Sequence, residues 1–331
     1  MSEKILTVSV AAYNAEQYLR DVLDSFVDLP NMSQVEVFII DDGGTDGSLR
    51  IAKEYQFKYP QTFIPVHKNN GGWGSTVNYS ITHAHGKYFK LLDGDDYFNK
   101  DNLIGFIEYL NRHDGDIIVS PFTSFNDNCK KEVETISPDS SYKMDIVYDI
   151  ENVKNSFPLA MHALAIRTEL IQSHNIRVKE KCLYRDMEFT ARCIEVSNTV
   201  MFFDRTIYLY RLGREGQSVS KSSYLKHIDE HADIVYTILS IADSVSGNRQ
   251  RLLYDLARGA CIQQYLIYFY TSNINDMKAK LVEFDQQIQN YPKFYGSVTL
   301  PKHIQAIKRF GFKGYELVMV LLRIKRALIK R

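Results

Sequence analysis

The feature that most constrains this chain is the rhythm of its first 120 residues, where short β-branched runs alternate with segments of helical apolar spacing. Such alternation marks parallel strands joined by crossover helices. Residues 5–10, 35–40, 63–66, 88–92 and 116–120 are the expected strands, and residues 16–27, 48–59, 75–85 and 102–110 the expected helices. In the first helix Tyr18, Leu19, Val22, Leu23 and Phe26 recur on one face, and Pro30 punctuates its end. Right-handed crossovers put the ligand crevice of such a sheet at the carboxyl ends of its strands.

The remainder of the chain is less regular. Residues 126–140 turn polar and read as a surface excursion, and residues 142–148 alternate as an edge or hairpin strand. A strand at 160–166, helices at 168–173 and 186–195, and strands at 199–203 and 207–210 follow. Beyond Ser222 only helical patterns remain, at about 224–244, 249–270, 275–290, 303–310 and 315–330. The expected division is an α/β domain over 1–221, in two halves that meet at about 120, then a helical appendage over 222–331.

Charge narrows the function classes. Forty basic residues balance forty acidic ones, which argues against nucleic acid, since phosphate-backbone binding draws on a surplus of Lys and Arg. The balance is uneven: residues 301–331 hold nine Lys or Arg against one acid, Glu316, a local charge of +8. Within 310–331 Leu317, Val318, Leu321, Leu322, Ile324, Leu328 and Ile329 mix with basic side chains, as in a helix that lies on an anionic membrane or packs on its own domain. Cys129, Cys182, Cys193 and Cys261 form no CxxC pair and read as free thiols of a reducing compartment. With no apolar run near ~20 residues, the expected location is the cytoplasm, at the membrane's inner face if the basic tail lies on lipid and away from it if the tail packs on its domain.

Two acidic clusters fall at strand ends. The first is Asp41-Asp42-Gly43-Gly44-Thr45-Asp46-Gly47, whose carboxylates suit ribose hydroxyls or a base NH and whose glycines suit a tight turn; alone it reads equally as a helix-capping turn. The second is Asp93-Gly94-Asp95-Asp96, three carboxylates in four residues, whose repulsion calls for a cation or strong donors. Oxygen donors of this kind suit Mg²⁺ or Mn²⁺ with substrate phosphates completing the shell.

These clusters, taken with Val8 to Leu19, Asn69-Asn70-Gly71-Gly72-Trp73-Gly74-Ser75-Thr76-Val77-Asn78 and Gly86-Lys87-Tyr88, resemble family 2 glycosyltransferases of the GT-A fold, with their DXD metal motif, over about residues 4–220. The resemblance implies an α/β GT-A fold and transfer of a sugar from a nucleotide diphosphate, UDP in the first instance, to a saccharide or lipid-linked saccharide. It implies that Ala11, Tyr13, Asn14 and Asp42 hold the nucleoside, that Asp93 and Asp95 contact the sugar nucleotide and its Mn²⁺ or Mg²⁺ beside Gly94, and that Asp96 supports them. Gly71, Gly72 and Asn78 fall in the loop that covers the nucleotide, where amides at a helix start favour anions. Leu183-Tyr184-Arg185-Asp186-Met187-Glu188 looks like the acceptor-activating motif, which makes Asp186 the general base; Arg185 departs from the family's acid at its position.

Other residues read from their own chemistry. Arg211 and Arg214, among Gly213, Gly216 and Ser218, are phosphate-binding groups or a solvated basic turn. His162 reads more readily as a satisfied core histidine than as a contact to acceptor or phosphate. Trp73 is a stacking platform or a packing anchor. A dehalogenase-type phosphatase is disfavoured because Val8-Ser9-Val10-Ala11 carries no acid, and a dinucleotide-binding dehydrogenase because no GxGxxG follows the first strand. A catalytically inactive nucleotide-sugar-binding scaffold is the alternative that the sequence leaves standing.

Overall fold

The computed structural model describes residues 3–321 except 156, 215 and 271–273. Four parallel strands carry the crevice: β1 (Leu6–Ala12), β2 (Val35–Asp41), β3 (Phe63–His67) and β4 (Tyr88–Asp93). Helices α1 (Leu19–Asp24), α2 (Ser48–Lys58) and α3 (Trp73–His83) connect them. β1 is covered on both faces, so its residues from Leu6 to Val10 are all buried, polar ones included. The polar atoms are paired: Thr7 Oγ1 donates to Glu36 Oε1 at 2.6 Å and Ser9 Oγ to Ser80 Oγ at 2.8 Å.

After β4 come β5 (Tyr97–Phe98), α4 (Lys100–Arg112), β6 (Ile117–Val119), β7 (Phe122–Asn126), β8 (Glu132–Ile136), β9 (Tyr148–Asp149), β10 (Leu164–Arg167), α5 (Thr168–Ser173), α6 (Arg185–Val196), β11 (Thr199–Phe202) and β12 (Tyr208–Leu212). The eight-stranded sheet runs β3-β2-β1-β4-β10-β6-β11-β9, and a second sheet runs β5-β12-β7-β8. β10 is antiparallel to β4, so parallel order ends beside the second acidic cluster.

Three sequence expectations are corrected. α1 spans six residues instead of twelve, because Ala15 N–H donates to Ser48 Oγ and Glu16 N–H to Asp46 Oδ2, which hold the chain in a turn ahead of the helix. In residues 142–148 only Tyr148 joins a strand; Tyr142 instead stacks on Phe202 at 4.0 Å. The polar excursion contains β8, hydrogen-bonded to β7, which no burial pattern marks because every β8 residue is exposed.

The chain forms two compact units, Met1–Glu215 with Val245–Leu252, and Gly216–Ser244 with Leu253–Arg331. The second is helical: α7 (Lys221–Lys226), α8 (Ile228–Asp243), most of α9 (Gly247–Ile267), α10 (Ile274–Gln289), α11 (Pro292–Ser297) and α12 (Lys302–Arg309). Its core gathers the rings of Tyr236, Tyr265 and Tyr268 around Phe284, within 5.9 Å of it. Residues 315–321 are helical, with Leu317, Val320 and Leu321 exposed; the rest of the expected basic helix, 322–331, lies outside the described residues. No helix among the described residues is long and apolar enough to cross a membrane.

Candidate active site

Strand register assembles the site. Ala11 pairs with Asp93 and Ala12 with Asp41, so two small residues at the end of β1 lie between the acidic ends of β2 and β4. Tyr13 follows with 58% exposure, and Asn14 takes a left-handed φ of 50° while its Oδ1 accepts Thr45 N–H at 2.8 Å, tying the two loops together. Gly94 is required by proximity: a Cβ there would meet the Ala11 carbonyl oxygen at 2.6 Å.

Asp42 is buried and turned toward the glycine loop. Its Oδ1 accepts Lys68 Nζ at 2.8 Å and Gly71 N–H at 3.0 Å, and its Oδ2 accepts Gly72 N–H at 2.8 Å. The expected anion-binding role of those amides is therefore corrected: the protein's own carboxylate already takes them, as a helix start favours. Asn78 is likewise committed to protein, bonding Val178 through both ends of its amide. Gly72, at φ 79°, opens α3 and turns Trp73 toward β4, where the indole Nε1–H donates to Asp93 Oδ1 at 2.9 Å. Asp42 and Asp93 are thus joined through one loop.

The three acids after β4 have different surroundings. Burial, with Asp95 beside it, pushes the Asp93 carboxyl up to about 7, opposed by the indole bond. Asp96 is buried and pushed well above the usual carboxylate range by burial and by Asp95 and Asp93, although Tyr208 Oη donates to it at 2.6 Å and Arg211 N–H at 2.7 Å. Asp95 pairs with the Arg214 Nε, and its backbone carbonyl accepts Arg211 Nε at 2.5 Å.

Arg211 is corrected from both sequence readings. Its guanidinium is buried, bonded to Asp127 at 2.5 Å and Asp21 at 3.0 Å, and lies 4.7 Å from the Tyr18 ring centroid. It braces the acidic loop from behind; Arg214, about a third exposed, pairs with Asp95. Asp186 enters from the first turn of α6, after Tyr184 at a left-handed φ of 63°. Burial raises its carboxyl, and its charge reaches Asp93. Tyr210 lies among the same acids: burial, then Asp96, Asp93, Asp186 and Asp95, raise its phenol. The departure at Arg185 is absorbed locally, since that buried side chain pairs with Glu188 at 3.3 Å and Cys182 Sγ at 2.9 Å.

His162 is not the satisfied core residue expected. Its Nδ1 is buried without a hydrogen-bond partner, and burial with the nearby Lys90 pushes the imidazole down to about 3. One ligand atom each from Asp93, Asp96 and His162 lie within 4.8 Å of one another. Two carboxylates and a neutral imidazole whose own Nδ1 is orphaned fit a divalent cation. Lys68, Tyr208 and Tyr210 were missed as site residues, and Trp73, read as a stacking platform or packing anchor, serves here as a hydrogen-bond donor to Asp93. Lys68 and Trp73 flank the recognisable glycine run, whereas Tyr208 meets Asp96 across 112 positions of sequence, a separation that no local pattern encodes.

This fold, with acids at the carboxyl edge of a mostly parallel sheet, is of the GT-A class. The crystal structure of residues 1–349 of Staphylococcus aureus TarS in complex with UDP superposes with a TM-score of 0.64 at 19% identity, covering 97% of this chain and 92% of that one. The mannosyltransferase PcManGT of Pyrobaculum calidifontis, in complex with GDP-Man and Mn²⁺, superposes at 0.53 with 13% identity over 95% of this chain and 83% of that one. In sequence, the poly(ribitol-phosphate) beta-N-acetylglucosaminyltransferase TarS of Staphylococcus aureus is 24% identical over 91% of this chain and 50% of its own length, so the chain spans about half of that relative. Residues 7–171 match the family Glycosyl transferase family 2, and the chain belongs to that family.

Proposed function

We propose that the protein is an inverting, metal-dependent glycosyltransferase that moves a sugar from a UDP-sugar to a hydroxyl of a cell-surface saccharide or its lipid-linked precursor. The observation that carries this reading is the convergence of acids at the carboxyl ends of β2 and β4, tied together through the Gly72–Trp73 loop, with the Asp186 charge of α6 acting on Asp93. In this reading Asp186 takes the proton of an acceptor hydroxyl as that oxygen attacks the anomeric carbon. The bond from that carbon to the diphosphate breaks, and the nucleotide diphosphate leaves from the opposite face. A raised carboxyl suits the base, because a more basic carboxylate takes a hydroxyl proton more readily. A bound divalent cation supplies charge for the leaving diphosphate, and Asp93, Asp96 and His162 would hold it. Arg214 adds a second positive group beside Asp95.

The donor assignment is supported by TarS, crystallised with UDP-GlcNAc and with UDP. Incubating the protein with UDP-sugars, a divalent cation and saccharide acceptors tests the reading. Release of UDP with a matching glycosylated product supports it, and tight UDP binding without turnover across the panel favours the inactive scaffold. Exposed Phe310, Leu317, Val320 and Leu321 on a basic segment support peripheral contact with an anionic leaflet at the cytoplasmic face. Deleting residues 311–331 should abolish co-sedimentation with anionic liposomes, and unchanged sedimentation would refute that contact.

A further inference from the structure

We propose that His162 is a nitrogen ligand of the divalent cation, forming with Asp93 and Asp96 a three-donor site that takes Mn²⁺ in preference to Mg²⁺. The proposal rests on the transferase reading only in expecting a cation here. Donors about 2.1 Å from a common centre lie roughly 3 Å apart, so a set already within 4.8 Å closes by small movements of side-chain tips.

Three observations single out His162. Its Nδ1 is a buried polar atom with no partner, an arrangement that costs about 1–3 kcal/mol unless a ligand relieves it. Its ring is held on three sides, stacked on Phe122 at 5.1 Å, tilted against Tyr210 at 4.6 Å and edge-on to Tyr208 at 4.8 Å. Its backbone carbonyl accepts Lys90 Nζ at 2.8 Å, which pins the segment entering β10 beside β4. The ring is thus positioned by packing, while its ring nitrogen depends on something that the protein does not supply. Asp95, the second acid of the motif, is meanwhile engaged by Arg214.

The chemical consequence is selectivity. Mg²⁺ is a hard ion that keeps oxygen ligands and sheds water reluctantly, whereas imidazole suits the later first-row metals. Replacing one oxygen donor by nitrogen therefore tilts the site toward Mn²⁺.

The test is pulsed electron paramagnetic resonance of the full chain, labelled with ¹⁵N-histidine and loaded with Mn²⁺ and UDP. The expected result is a directly coordinated ¹⁵N coupling in the wild type that disappears in His162→Asn, with Mn²⁺ affinity down at least about tenfold and Mg²⁺ affinity changed less. A wild-type spectrum without nitrogen coupling overturns the proposal whether or not the variant folds, and so does a coupling that persists in His162→Asn. Sugar transfer is measured separately: turnover without nitrogen coupling refutes the ligand and leaves the reaction standing, while coupling without turnover does the reverse.

Discussion

Trp73 donates its indole N–H to Asp93 across 2.9 Å, so the loop that opens α3 is hydrogen-bonded to the acid that ends β4. A charge-assisted bond of this kind holds the carboxylate in one orientation and favours its ionised form. Trp73→Phe keeps a ring and removes the donor. Metal-dependent turnover is expected to fall about tenfold, the equivalent of one such bond, with little change in unfolding midpoint. Steady-state kinetics beside a denaturant titration checks this.

Asp186→Asn removes the proposed base and preserves shape. Turnover should fall by about 10²–10⁴ while UDP affinity by calorimetry stays the same. Full activity in this variant would remove Asp186 from the mechanism.

Arg211 is buried and braced by Asp21 and Asp127, so its loss leaves acids without their counter-charge. Arg211→Met should lower stability by about 3 kcal/mol in urea denaturation. A phosphate-binding arginine would instead raise the donor KM with stability unchanged, and the two readouts separate the roles.

Gly94→Ala places a methyl group against the Ala11 carbonyl. The two loops must part, at a cost of about 1–3 kcal/mol typical of overpacking, and donor binding should weaken in proportion as the acids behind Gly94 shift. Thermal unfolding and UDP titration of the variant measure both effects.

The helical unit carries its own pH dependence. His231 is buried with its Nδ1 2.7 Å from Gln264 Oε1, and burial lowers its imidazole to about 4 from the usual 6.5. The unfolded chain therefore takes up this proton first as pH falls. The stability that the neutral ring contributes is present above about pH 6.5 and is lost progressively toward about pH 4. His231→Gln should flatten that part of the stability profile, as followed by denaturation midpoints from pH 4 to 7.

The parallel strands and both acidic turns were legible because they are local: apolar runs ending in Asp-rich turns carry their meaning within about ten residues. Ser48–Lys58 and Thr168–Ser173 follow the expected helices closely for the same reason. What escaped depends on distant partners. Arg211 reads as a phosphate ligand among glycines and hydroxyls, but Asp21, 190 positions earlier, claims it. His162 reads as a core residue from its apolar neighbours, yet its Nδ1 makes no hydrogen bond, a fact of packing that composition does not carry. β8, exposed throughout, had no buried face to announce it.

The two alanines at the tip of β1 have a consequence for size. β2 and β4 flank β1 about 4.8 Å to either side, and successive strand residues face opposite sides of the sheet, so half-buried Ala11 and buried Ala12 each leave room on a different face beside an acidic strand end. Bulk at position 12 would have to displace packed neighbours, whereas bulk at position 11 would crowd the strand edge beside Asp93 without altering a single charge.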